Sequence, residues 1–147
     1  MKLNKSQKQL VDSYSMGYRV DELGNLRFNN KQLNPYINPQ GYKVFNPRIN
    51  GKKRLVTVHR LQAYQKYGDD LYKEGIVTRH KNGNPLDNSW DNILIGTQSE
   101  NQMDIPKQVR IKRALYATSH IRKYSKQEVK DFYNSCKSYK QTMENFN

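Results

Sequence analysis

Val77-Thr-Arg-His-Lys-Asn-Gly-Asn-Pro-Leu-Asp-Asn-Ser-Trp-Asp-Asn-Ile-Leu-Ile-Gly-Thr-Gln-Ser-Glu-Asn101 is the stretch on which the fold turns. A short apolar strand delivers His80, a polar loop rich in turn residues returns the chain to Asn92, and a second apolar strand runs from Ile93 to Ile95. Gly96 and Thr97 end that strand, and Ser99 is placed to cap a helix carrying Asn101 and Asp104. Strand, loop, strand and helix set a histidine at one end and oxygen donors at the other. That arrangement suits one general base beside one divalent cation, a combination used to cleave phosphodiesters.

The rest of the 147-residue chain fits an anionic partner. It has 26 Lys and Arg against 13 Asp and Glu, a formal net charge of +13. Such an excess favours phosphate neutralisation and counterion release on a nucleic acid. Apolar residues make up 35% and mean hydropathy is -1.06, so a thin core is expected. The single cysteine, Cys136, excludes an internal disulfide framework and a cysteine-based zinc knuckle. No apolar run approaches membrane-spanning length and the N-terminus lacks a signal-peptide core, so the reading is cytosolic.

Outward from the central stretch, His59 to Tyr67 reads as a helix, with Leu61, Tyr64 and Gln65 on one face. Before it lie short strands: Tyr18–Val20 and Leu26–Phe28 around the turn 21–25, then Tyr42–Phe45 and Leu55–Val58. Asn50-Gly51 is a two-residue hairpin signal between basic strands. Residues 1–12 are polar and read as a flexible N-terminus, frayed or loosely helical. From Pro106 to Lys126 there are seven Lys or Arg and no acid, a basic arm suited to tracking DNA. Ser125 and Glu128 form a capping box, and the helices that follow resemble the opening of a helix-turn-helix.

The residues from Val56 to Asp104 resemble the HNH nucleases of the ββα-metal fold, and within them the phage and intron-encoded homing endonucleases. The resemblance rests on Val58-His-Arg-Leu61, Arg79-His80, Asn82-Gly-Asn84, Leu86-Asp-Asn88, Asn92-Ile-Leu94 and Gly96-Thr-Gln-Ser-Glu-Asn101. It implies a DNA endonuclease in which His80 is the general base. Asn92 bridges the loop backbone and orients the His80 ring, and Asn101 ligates one divalent cation, Mg²⁺ or else Mn²⁺. Many members of the family carry Asp directly before the histidine as a second ligand; here that residue is Arg79. On a strand it projects away from His80, and it reads either as a clamp on the scissile phosphate or as a salt-bridge partner. Asp104, three residues after Asn101 on the same helix face, is the candidate replacement ligand, with Asp87 second. His59, Asn88, Asp91 and Trp90 read more simply as packing, turn-forming and loop-anchoring residues.

The expectation is therefore an α+β protein: a flexible segment over 1–12, an antiparallel β region contacting DNA over 13–58, a ββα-metal core over 59–105 and a basic helical tail over 106–147. As a monomer in the cytoplasm of a bacterial host it would cut or nick double-stranded DNA, leaving a 5′ phosphate and a 3′ hydroxyl, with no membrane partner. Arg27, Lys43, Arg48, Lys52, Lys53 and Arg54 would contact the duplex from the sheet, and Lys107, Arg110, Lys112 and Arg113 from the tail. The alternative is a DNA-binding protein whose catalytic site has decayed, for which Arg79 is the argument. An RNA-binding protein ranks last, because the ordered Asn and His positions have no part in it.

Overall fold

The computed structural model describes residues 3–118 together with 125, 127, 128, 130 and 131. Helix α1 spans Lys5–Ser15, where the sequence suggested a flexible segment. Asn4 explains the difference. Its Oδ1 accepts from the Gln7 amide at 2.9 Å while Gln7 Oε1 accepts from the Asn4 amide at 2.8 Å, satisfying two donors that a helix start leaves open. Leu10 and Ser13 are buried, and Val11 and Tyr14 pack on the core, so a mostly polar segment is tied down by one narrow stripe.

Short antiparallel strands follow. β1 (Arg19–Val20), β2 (Leu26–Phe28) and β3 (Lys31–Gln32) form one sheet. β4 (Tyr36–Ile37) and β5 (Lys43–Phe45) begin another, and β6 (Arg48–Ile49) pairs with β7 (Lys52–Lys53). Between β6 and β7, Asn50 and Gly51 have φ of 50° and 74°, the left-handed pair that a type I′ turn needs. β8 (Val56–Thr57) completes the second sheet beside β5. It is shorter than the expected strand because Val58 already opens the next helix.

That helix, α2 (Val58–Tyr67), is the hub of the molecule. Its buried Val58, Leu61 and Ala63 join Leu10, Val20, Leu26, Phe45, Val56 and Ile93 in one core. Leu10, Leu26, Leu61 and Ile93 are each 2% exposed or less, and burying side chains of this size contributes about 1.5–3 kcal/mol apiece. Two glutamines on α2 make bonds that an apolar pattern would not reveal. Gln65 accepts from the Val20 amide at 2.6 Å and donates to the Val20 carbonyl at 3.0 Å, acting as a strand partner for the free edge of β1. Gln62, fully buried, donates to the Asp21 carbonyl at 3.0 Å.

A 3-10 turn over Gly68–Tyr72 leads from α2 to β9 (Ile76–His80), which pairs antiparallel with β10 (Ile93–Thr97), and α3 (Gln98–Asp104) follows. The cap of α3 is Thr97, not Ser99. Thr97 Oγ1 accepts from the Glu100 amide at 3.3 Å, and Glu100 Oε2 accepts from the Thr97 amide at 2.7 Å. Everything to this point belongs to one compact unit, Met1–Asp104, so the regions expected over 13–58 and 59–105 share a core. The second unit begins at Ile105. Within it, α4 (Lys107–Thr118) starts directly after Pro106, and Ser125 and Glu128 form the expected reciprocal cap, at 2.6 and 3.2 Å. The helix-turn-helix-like tail falls mostly outside the described residues.

Candidate active site

The register of the hairpin decides which residues meet. His80 pairs with Ile93 and Arg79 with Leu94, so the two neighbours lie on opposite faces of β9. His80 faces inward and is 8% exposed. The loop between the strands folds on itself through side-chain amides and carboxylates. Asn92 accepts from the Asn82 amide at 3.0 Å and donates to the Asp87 carbonyl at 2.8 Å. Asn82 and Asn84 close Asx turns onto residues 84 and 86, at 2.9 and 3.1 Å. Asp87 accepts from Ser89 Oγ at 2.7 Å and Asn82 Nδ2 at 2.8 Å; its hydrogen bond from the Ser89 hydroxyl holds its carboxyl below the usual range.

Asn92 thus staples the loop backbone as expected, but its side-chain hydrogen bonds go to Asn82 and Asp87 and not to the His80 ring. Asn88 does. Its side chain is 2% exposed, and its Oδ1 lies 3.3 Å from His80 Nε2. The sequence offered Asn88 as a turn former. The signal that could have singled it out is its spacing of eight residues from His80 across a loop whose ends are hydrogen-bonded together. Rings enclose the histidine on its other side: His59 at 5.3 Å between centroids and Tyr42 at 6.3 Å, with His59 and Tyr42 themselves 4.7 Å apart. Burial lowers the pKa of His80, partly opposed by the Asn88 hydrogen bond, so the ring is neutral at pH 7 and able to accept a proton. His59 is pushed down to about 3, by burial first and then by repulsion from His80, and its Nδ1 is enclosed without a partner among the described residues.

The opposite face of β9 carries an ion-pair clamp. Arg79 donates to both oxygens of Asp104, Nε to Oδ2 at 2.8 Å and Nη2 to Oδ1 at 2.9 Å. Its Nη1 lies 3.2 Å from Glu100 Oε1. The Arg79 and Asp104 side chains are each 13% exposed, and the Asp104 hydrogen bonds hold the guanidinium pKa above its ordinary value. Gly96 makes room for the clamp, because a Cβ there would fall 2.5 Å from Arg79 Nη1 and 2.6 Å from Glu100 Oε2.

Residues 56–103 match the HNH endonuclease family. That stretch is therefore similar to an HNH module. H-N-H endonuclease F-TflI of Escherichia phage T5 is 34% identical over 90 residues, covering 58% of this chain and 45% of that protein. Among solved structures, one described as DNA binding and cleavage by the HNH homing endonuclease I-HmuI matches with a TM-score of 0.51 and 25% identity, over 69% of this chain and 60% of that one. The chain therefore spans less than two thirds of either relative.

An HNH module implies a cation, and a hard divalent ion needs several oxygen donors, carboxylates above all. Asn101 on α3 offers one amide oxygen and forms no side-chain hydrogen bond to another described residue. Asp104, expected to replace the missing ligand, spends both oxygens on Arg79. Asp87 is engaged within its own loop. Among the described residues no group of three or more His, Cys, Asp or Glu is placed to hold a metal ion. As arranged, the donor set does not fit a cation: Asp104, the carboxylate three residues after Asn101, is held through both oxygens by Arg79.

The expected DNA contacts are more dispersed. Arg27 is paired with Asp21 at 2.9 Å, whereas Arg48, Lys52 and Lys53 are exposed and Lys43 and Arg54 partly buried. α4 presents Lys107, Lys112 and Arg113 in exposed positions, and Arg110 Nε donates to the Ile105 carbonyl at 3.0 Å. α1 adds a further basic group that the sequence did not single out. Lys5 and Lys8 of α1 line a groove of about 310 Å³ together with Lys52 and Arg54. Trp90 anchors its loop through its backbone, donating to the Glu22 carbonyl at 3.0 Å. The residue is 36% exposed, with Lys66 Nζ 5.4 Å from its ring centroid.

Proposed function

We propose that the chain hydrolyses phosphodiester bonds of duplex DNA through its HNH module, as a homing-type endonuclease that nicks one strand at a time. The observation that carries this reading is His80, neutral, buried at the end of β9 and hydrogen-bonded to Asn88. The imidazole takes a proton from water as the water attacks phosphorus. The P–O3′ bond breaks, leaving a 5′ phosphate, and the departing oxygen is protonated by solvent to a 3′ hydroxyl. Basic strands and α4 supply affinity through phosphates, which makes binding fall steeply with salt. The proposed agent is a monomer working on DNA in the cytoplasm of a bacterial host. Among the described residues no helix is long and apolar enough to cross a membrane.

The test varies the expected cation, Mg²⁺ or Mn²⁺. Supercoiled plasmid is incubated with the chain in Mg²⁺, in Mn²⁺ and in chelator, beside a His80→Ala variant. Nicking by the parent that His80→Ala loses supports the reading. DNA binding without nicking in all three conditions selects the alternative, a decayed site on a DNA-binding scaffold, for which the Arg79–Asp104 clamp is the favouring observation.

A further inference from the structure

We propose that Asn88 fixes the tautomer of His80, and that the β1–β2 hairpin holds Asn88 where it can do so. The inference rests on His80 being the base of the reaction proposed above.

A neutral imidazole carries its proton on one nitrogen and its lone pair on the other, and only the lone pair accepts a proton. Asn88 Oδ1 is an acceptor, so at 3.3 Å from Nε2 it selects the tautomer protonated there. The lone pair then sits on Nδ1. Among the described residues Asn88 is the hydrogen-bond partner that the His80 ring has; the neighbouring His59 and Tyr42 make ring contacts. The charged groups near the imidazole, Asp87 and Asp104, act on it through the field alone.

What positions Asn88 lies far earlier in the chain. Gly24 approaches the loop so closely that a Cβ on it would stand 2.6 Å from the Asn88 carbonyl carbon and 2.7 Å from the Ser89 amide nitrogen. Its φ of +86° is one that glycine adopts without strain. Two residues earlier, the Glu22 carbonyl accepts from the Trp90 amide at 3.0 Å. The hairpin is anchored in turn to α2, through Gln62 to the Asp21 carbonyl and Gln65 to Val20. The chain Gln62–Asp21–Gly24–Asn88–His80 therefore links the core helix to the base. The N-terminal sheet, read from sequence as a DNA-contacting region, is also the support of the catalytic loop.

The test needs no substrate. The ¹⁵N shifts and two-bond ¹H couplings of His80 in the full chain, recorded at pH 8 where the ring is neutral, report which nitrogen carries the proton. The proposal expects Nε2–H in the parent. In Asn88→Ala the ratio of Nε2–H to Nδ1–H should fall about 3- to 10-fold, the equivalent of one ordinary hydrogen bond, and Asn88→Asp, which keeps an acceptor at the same place, should restore it. Parent protein protonated on Nδ1, or a ratio unmoved in Asn88→Ala, overturns the proposal. Should the alanine variant fail to fold, Asn88→Leu, close in shape and without an acceptor, takes its place with the same expected fall. If Nε2–H is found but His80→Ala nicks DNA as the parent does, the assignment of His80 as base has failed and the tautomer assignment has not.

Discussion

His80 and Arg79 are adjacent in the chain, on opposite faces of one strand, and the two faces are built by different means. The His80 face is assembled from far apart: Asn88 from the loop, His59 from α2, Tyr42 from before β5, and the β1–β2 hairpin behind Asn88. The Arg79 face is assembled locally, from α3 and the end of β10, by charge. One face encloses a neutral ring and leaves it weakly held; the other places one cation between two carboxylates. Base chemistry needs the first condition, because burial keeps the imidazole unprotonated. Cation binding is opposed by the second, because the guanidinium already neutralises the carboxylate a metal would use.

The sharpest break between the faces is to remove each residue in turn. Loss of the base in His80→Ala should lower the single-turnover nicking rate by about 10²- to 10⁴-fold with little change in DNA affinity, checked by quenched-flow and filter binding. A parent rate retained in that variant would move the chemistry elsewhere. Arg79→Asp should act mainly through stability and metal. Asp104 loses both donors and faces two like charges, at a cost of about 1–3 kcal/mol. The introduced carboxylate, Asp104 and Asn101 then form an oxygen-donor set, so millimolar Mn²⁺ should raise the melting temperature of Arg79→Asp well above its value in chelator, while the parent responds less. Equal responses would mean that the clamp does not control access to Asp104.

What the sequence disclosed follows the same division. The hairpin, the helix after it and the position of His80 were legible because apolar alternation and turn residues are local signals. The Asn50-Gly51 turn was legible for the same reason. α1 was not, since its Asn4–Gln7 cap is weak in sequence and its burial depends on a core formed by distant residues. Asn88 was hidden because asparagine in a loop most simply makes a turn, and its ring contact needs the whole loop folded. Arg79 was visible as a departure, and a salt bridge was one of its two readings, but its partner could not be read, because Asp104 reads as a ligand and only the folded clamp with Gly96 and Glu100 joins it to Arg79.

Acid should weaken the His80 face before the Arg79 face. His59 titrates near 6.5 when unfolded and is lowered to about 3 in the fold. The folded state therefore resists protonation. Its stability is complete above about pH 6.5 and erodes as pH falls from there toward about 3, by up to about 1.4 kcal/mol per unit, or about 2 kcal/mol by pH 5. His80, also lowered, erodes in the same direction. His59→Phe keeps the ring stack and removes the larger share, so its unfolding free energy in urea should change much less between pH 7 and pH 5 than that of the parent. Equal slopes would place the acid sensitivity outside the His59–His80–Tyr42 group.

The smallest effect separates support from mere proximity. Gly24→Ala adds one methyl against the Asn88 and Ser89 backbone, at a residue with φ of +86°, and the strained backbone alone costs about 1 kcal/mol. A purely structural hairpin would lose that stability and leave the chemistry alone. A hairpin that supports the base must also shift Asn88, so nicking should slow at saturating DNA and the His80 tautomer ratio should move toward that of Asn88→Ala. The melting-temperature response to Mn²⁺, which belongs to the Arg79 face, should stay as in the parent. A variant that loses stability with the tautomer and the saturated rate unchanged would reduce the hairpin to a prop for the loop and leave Asn88 acting on His80 alone.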